Sequence, residues 1–189
     1  MRTICLSLLS VLLFCSTNKD PLSLRDGESP FFPLSIGTVW YFDVGSHADK
    51  DNPWVKRIVQ KKIEINGNEY FIVSDIYGFD RPSPSTYTDT LRADSQGNIW
   101  EFENGQEFPL YVFSSEAGST YNYKDYIVTL RRVESLETPA GTFNDCIELY
   151  FDVPVFVDEE TRRTFAPCVG LIRETHGEGP TWVLDSFEF

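Results

Sequence analysis

Histidine, methionine and positive charge are all scarce in this chain. Its 189 residues include two His, one Met and 16 Lys plus Arg, against 29 Asp plus Glu, for a formal net charge of −13. Phosphate recognition rests on Lys and Arg contacts that release counterions, so this balance excludes nucleic acid as a partner and disfavours docking on anionic lipid headgroups. His47 and His176 each sit in a polar, Gly-containing connector, where solvated side chains are the expectation and a triad or zinc site would need partners from elsewhere. The chain has no G-x-S-x-G elbow, H-E-x-x-H, C-x-x-C, Walker loop or Rossmann fingerprint. The oxygen-rich loop Ser46 to Asn52 contains Lys50 and lacks the Gly and terminal Glu of an EF-hand loop. No cofactor and no metal is therefore expected, and an enzyme would have to be a hydrolase with an unrecognised site.

A long hydrophobic run is also missing. The apolar or small stretch Ile4 to Phe14 follows Arg2 and spans 11 residues, about 16 Å of helix against a hydrocarbon core of roughly 30 Å. It reads as a signal peptide over residues 1–14. The run ends at Cys15 and turns polar at Ser16, which resembles the lipobox of bacterial lipoproteins; Leu12 fits that pattern and Phe14 departs from it. Cys15 is thus the expected lipidation (palmitate) site, with residues 15–30 as a polar, proline-interrupted tether and residues 31–189 as one domain. Ser16, in the place of a retention Asp, points to the outer rather than the inner membrane; the alternative is a secreted or periplasmic protein. Of four cysteines, Cys5 would leave with the signal and Cys15 would carry lipid, leaving Cys146 and Cys168 as an even pair in an oxidising compartment. A bridge closing about twenty residues stabilises by roughly 3 kcal/mol in the chain-entropy model; two unpaired small residues are the alternative.

What the chain has in quantity is aromatic and β-branched residues, with 15% Phe, Trp and Tyr. Period-two alternation broken by short turns predicts an all-β antiparallel meander, a strongly curved sheet or partly closed barrel. The clearest strand is Cys146 to Val157, with Ile147, Leu149, Phe151, Val153 and Val155 inward and Cys146 on the wet face with Glu148 and Tyr150. Others are expected at 38–44, 55–65, 69–77, 87–93, 98–103, 126–133, 163–165, 169–174 and 181–187. Arg57 and Lys61 share one face of 55–65, and Lys56, Gln60 and Lys62 share the other, which excludes a lipid-facing barrel wall. Phe32-Pro33-Leu34, Gly37 and Trp40 echo Phe108-Pro109-Leu110, Gly118 and Tyr121. The echo suggests two four-stranded halves plus a closing strand, although any meander of hairpins is self-similar.

Most aromatics in such a protein are core. Trp40, Phe79, Tyr87 and Trp100 are the candidates for a ligand-binding set, stacking on sugars or lining an apolar cavity, with the long connector 78–86 as its rim.

Two segments resemble a broad group of uncharacterised bacterial envelope lipoproteins. One is Phe31-Phe32-Pro33-Leu34-Ser35-Ile36-Gly37-Thr38-Val39-Trp40-Tyr41. The other is Thr138-Pro139-Ala140-Gly141-Thr142-Phe143 with Cys146, followed by Ala166-Pro167-Cys168-Val169-Gly170-Leu171. The resemblance implies a curved antiparallel sheet in the cell envelope and brings no catalytic residues. Cys168 stands where the group usually has Gly, which suggests a partner for Cys146. The expected function is an envelope-anchored binding or interaction module, its partner a hydrophobic or carbohydrate ligand or an envelope protein; a structural or assembly component of the envelope is the alternative.

Overall fold

The computed structural model describes residues 29–44, 54–78, 82–156 and 159–189. The signal peptide, Cys15, His47 and Phe79 lie outside the described residues. Alternating apolar residues and tight turns produce twelve strands: β1 (Val39–Val44), β2 (Trp54–Ile65), β3 (Asn68–Tyr77), β4 (Ser85–Ala93), β5 (Ile99–Glu103), β6 (Gln106–Tyr111), β7 (Thr120–Tyr123), β8 (Tyr126–Thr138), β9 (Gly141–Asp152), β10 (Thr161–Ala166), β11 (Gly170–His176) and β12 (Thr181–Glu188). All pair antiparallel in one sheet of order β6-β5-β4-β3-β2-β1-β12-β11-β10-β9-β8-β7. The sheet curls into a nearly closed barrel with β6 and β7 at an unsealed seam. Among the described residues there is no helix long and apolar enough to cross a membrane.

The sheet order shows two six-stranded meanders joined by the β1–β12 ladder, in place of two four-stranded halves and a closing strand. The halves repeat in their hydrogen bonds. Gly37 N–H donates to Val59 O (2.9 Å), Val59 N–H to Thr38 O (3.0 Å) and Thr38 N–H to Ser35 O (3.0 Å). In the second half Gly118 N–H donates to Leu130 O (2.8 Å), Leu130 N–H to Ser119 O (3.1 Å) and Ser119 N–H to Glu116 O (3.1 Å). Gly37 and Gly118 hold matching φ of 93° and 87°, a conformation open to glycine at little cost. The halves differ where they close. β1 and β12 form a full ladder, whereas their counterparts β7 and β6 meet through side chains. The Tyr121 hydroxyl donates to Leu110 O (2.8 Å) and accepts from Val112 N–H (3.3 Å).

One end of the barrel is filled. The segment before β1 inserts Phe32, 1% exposed, as a plug. Its ring stacks on Trp40 at 5.5 Å and lies 5.6 Å from Tyr111 and 6.1 Å from Phe165. The segments Phe31–Tyr41 and Ala166–Leu171 meet here, because Trp40 Nε1–H donates to Val169 O at 2.6 Å. A Cβ on Gly170 would stand 3.1 Å from the same indole, so glycine is what permits the approach. Cys168 N–H, in the adjoining turn, donates to Pro30 O at 2.5 Å, tying down the start of the domain.

Several expectations are corrected. The strand Cys146 to Val157 ends at Asp152 and begins earlier, at Gly141; Pro154 cannot continue a ladder, and Val155 is 81% exposed. Asp145, at φ 54°, falls in a one-pair gap of the β8–β9 ladder between Cys146 and Asn144, and Cys146, expected on the wet face, is fully buried. Cys146 is a free thiol, and the bridge to Cys168 is not formed. Ile147 pairs with Phe165 across β9 and β10, which carries Cys168 past the end of β10 into the next turn. The Cys146 Sγ lies 3.5 Å from Phe143 O, and burial pushes its pKa up to about 11.

A candidate binding cavity at the open end

The end opposite the plug is hollow. Its cavity of about 550 Å³ is lined from both halves of the barrel, among others by Arg57, Asp75, Asp89, Tyr123, Arg163, Glu174, His176 and Trp182. That volume falls within the roughly 300–1,000 Å³ of small-molecule sites. Period two explains who faces in. Val55, Arg57 and Val59 share one face of β2, as do Val73, Asp75 and Tyr77 on β3, so a charged row lies between the apolar row of Val59 and Val73 and the row of Val55 and Tyr77 at the mouth.

The charges are placed by strand register. Arg57 lies directly across from Asp75 in the β2–β3 ladder, and the pair is bidentate, Nε to Oδ1 at 2.6 Å and Nη2 to Oδ2 at 2.7 Å. Burial opposes the Arg57 charge, but the Asp75 carboxylate outweighs it and its pKa is raised. Arg163 lies across from Glu174 in the β10–β11 ladder; its Nη2 donates to Glu174 Oε1 at 3.0 Å and its Nη1 to the Tyr111 hydroxyl at 3.3 Å. Its guanidinium also lies 5.0 Å from the Phe151 ring centre, a cation–π contact. Near the seam, the Tyr123 hydroxyl donates to Glu101 Oε2 at 2.7 Å, and Lys124 Nζ bridges Glu101 and Glu103 at 2.7 Å each.

Not every polar atom of the lining residues is satisfied. Arg57 Nη1, Arg163 Nε and Glu174 Oε2 are buried without a hydrogen-bond partner, although Arg57 is only 5% exposed and Glu174 only 1%. Each such orphan costs about 1–3 kcal/mol. Asp89 also faces the cavity; burial raises its carboxyl pKa, with Arg57 pulling the other way. The mouth is aromatic. Trp182 sits edge-on to Tyr77 at 5.5 Å and to His176 at 5.6 Å. Burial lowers the His176 pKa despite Glu174 Oε1 at 3.4 Å from its Nε2.

The sequence-derived ligand set is scattered by this geometry. Trp40 is 0% exposed and belongs to the plug. Trp100 does not line the cavity; its indole donates to Asp94 Oδ2 at 2.9 Å and stacks under Arg92. Tyr87, exposed, touches the cavity-lining Tyr77 edge-on at 5.5 Å. His176, read as a solvated loop residue, lines the cavity instead, at the end of β11. The charged residues that line the cavity were missed altogether. Their sequence signal is faint but physical, since Arg57 and Asp75 are nearly equidistant from the Asn66-Gly67 turn, as Arg163 and Glu174 are from the Cys168-Val169 turn. Opposite charges so placed become cross-strand neighbours. Among the described residues no group of acidic, His and Cys side chains could hold a metal.

Comparison with solved structures finds the same architecture in bacterial exported proteins. One is a "putative lipoprotein" from Parabacteroides distasonis, with TM-score 0.54 and 15% identity over 85% of this chain and 100% of that one. Another is a "putative exported protein with YmcC-like fold" from Bacteroides fragilis, with TM-score 0.52 and 13% identity over 86% of this chain and 100% of that one. At this identity the likeness shows a shared fold. No family model and no curated protein matches the chain.

Proposed function

We propose that the chain is an exported lipoprotein, anchored in the outer membrane through Cys15, whose barrel binds a small polar molecule in its open-ended interior. The observation that carries this reading is the cavity itself, lined by the ion pairs Arg57–Asp75 and Arg163–Glu174 and by Asp89. A purely structural component has no use for a hollow, charged interior, and a hydrophobic ligand would desolvate the charges that line it. The apolar signal segment, the polar residues after Cys15 and the description of one fold neighbour as a lipoprotein support the envelope address. The tether would join the domain at Ser29 and Pro30, beside the plug, so the mouth would face away from the membrane.

Native mass spectrometry of the protein taken from its own envelope tests the binding reading. A small-molecule adduct that disappears in the Glu174→Gln variant is the expected result, and an adduct-free wild type would overturn it. Palmitate incorporation that is lost in Cys15→Ala tests the anchor separately.

A further inference from the structure

We infer that the occupant of this cavity is a small organic cation, a protonated amine whose ammonium group pairs with Asp89; the inference rests on the binding reading above and adds the ligand's chemical class. The charges of the lining are unequal. Two guanidiniums, of Arg57 and Arg163, stand among four carboxylates, of Asp75, Asp89, Glu101 and Glu174. Three of the four are already matched. Asp75 holds Arg57, Glu174 holds Arg163, and Glu101 holds Lys124 and the Tyr123 hydroxyl. Asp89 makes no hydrogen bond or ion pair among the described residues. Register explains the exception, because Asp75 and Glu174 each face an arginine across a ladder whereas Asp89 faces Val73. Unlike the buried Glu174 Oε2, the carboxylate oxygens of Asp89 are open to an occupant.

Charge decides against the other classes. An anion would join a lining that already holds an excess of carboxylates, with both guanidiniums neutralised by their own partners. A neutral molecule would displace water from Asp89 and leave its charge uncompensated. A bare metal ion finds no group of acidic, His and Cys side chains to hold it among the described residues, and it would leave most of the roughly 550 Å³ unfilled. An organic ammonium meets both demands. Its N–H groups donate to the free carboxylate in charge-assisted hydrogen bonds, and its body packs against Val44, Val55 and the rings of Tyr77 and Trp182. Aromatic rings suit such a guest, since they offer apolar area and attract cations as well. Burial raises the Asp89 pKa, with Arg57 pulling the other way, and a bound ammonium would offset that burial. The formal charge of −13 on the whole chain draws cations towards the mouth.

The test uses the full chain labelled with 5-fluorotryptophan and 19F NMR, with the Trp182 resonance assigned by its loss in Trp182→Phe. The probes are sets of similar shape and different charge: phenethylamine, phenethyl alcohol and phenylacetate, then butylamine, butanol and butyrate, with glucose, inorganic phosphate and calcium chloride beside them. At neutral pH at least one amine is expected to shift the Trp182 signal saturably, about tenfold more tightly than its alcohol, and to leave the signal of Trp40, in the plug, in place. Asp89→Asn is expected to bring that amine down to the affinity of the alcohol, with an unchanged Trp40 signal that reports an intact plug. Any alcohol, carboxylate, glucose, phosphate or calcium that binds as tightly as the best amine would overturn the ligand class and leave the binding reading standing, as would an amine that binds Asp89→Asn and the wild type alike. Silence of Trp182 towards every probe would overturn both.

Discussion

The two ends of this barrel are built from the same strands and the same alternation, yet one is packed solid and the other is hollow and charged. At the plugged end Phe32, Trp40, Phe113 and Phe165 fill the lumen, with ring centres 5.1–6.1 Å apart among the contacting pairs. At the open end the inward positions of the same strands carry Arg57, Asp75, Arg163 and Glu174. Stability is therefore concentrated where the lumen is filled, and the paired charges gather where it is empty. That is the arrangement expected of a scaffold that holds a site rigid from one side.

The largest effect should follow from emptying the plug. Phe32→Ala removes a ring buried among Trp40, Tyr111 and Phe165, and a loss of about 3–5 kcal/mol is expected, read as a lower midpoint in urea unfolding. A much smaller loss would mean that the segment before β1 is an appendage and not part of the core. Next comes the open end's own support. Asp75→Asn leaves the Arg57 charge buried without its counter-ion, for which about 3 kcal/mol is expected, since removing one partner of a buried pair is costly. Near-neutral behaviour would show that water reaches Arg57 freely, and the contrast between a dry lumen and a wet one would blur.

The seam is the place to sharpen the comparison further. Tyr121→Phe deletes the hydroxyl that links β7 to Leu110 and Val112 and is expected to cost about 1 kcal/mol. The readout is hydrogen exchange, with faster exchange at β6 amides and no change along the β1–β12 ladder. Equal acceleration in both places would mean that the two junctions of the halves are coupled.

Strand alternation made most of this fold readable, and the exceptions have local causes. β6 was overlooked because Pro109 stands inside it, a residue the edge position tolerates since no further strand needs its missing N–H. β7 has only four residues, two of them polar, too few to show a period. Cys146 falls inside against expectation because nothing in Asn144-Asp145-Cys146 announces the left-handed conformation of Asp145 beside it. The cavity stayed hidden for a different reason. Arg57 on a strand face ordinarily marks that face as wet, and only the closure of the barrel, with Asp75 across the ladder, turns the same residue into lining.

The smallest predicted effect concerns pH and belongs to the open end alone. Asp89 titrates normally when unfolded, near the ordinary aspartate value, and burial raises its pKa in the folded barrel. Between those two values the folded state holds the additional proton, so this group's contribution to stability is complete below the lower value and is lost as pH rises through the upper one. At neutral pH the ionised, buried carboxylate is then a cost, and Asp89→Asn is expected to melt higher than the wild type, with the gain shrinking as the buffer is acidified towards the ordinary aspartate pKa. His176 acts with the opposite sign. Its pKa is lowered by burial, so stability falls as pH drops from the ordinary histidine value through the folded one, and His176→Phe should flatten that limb. The packed rings of the plug carry no group that titrates in either window. A Phe165→Leu variant should accordingly lose the same stability at every pH between 4 and 8. If its deficit varies with pH as that of the open-end variants does, the two ends share one electrostatic environment and the division between them is wrong.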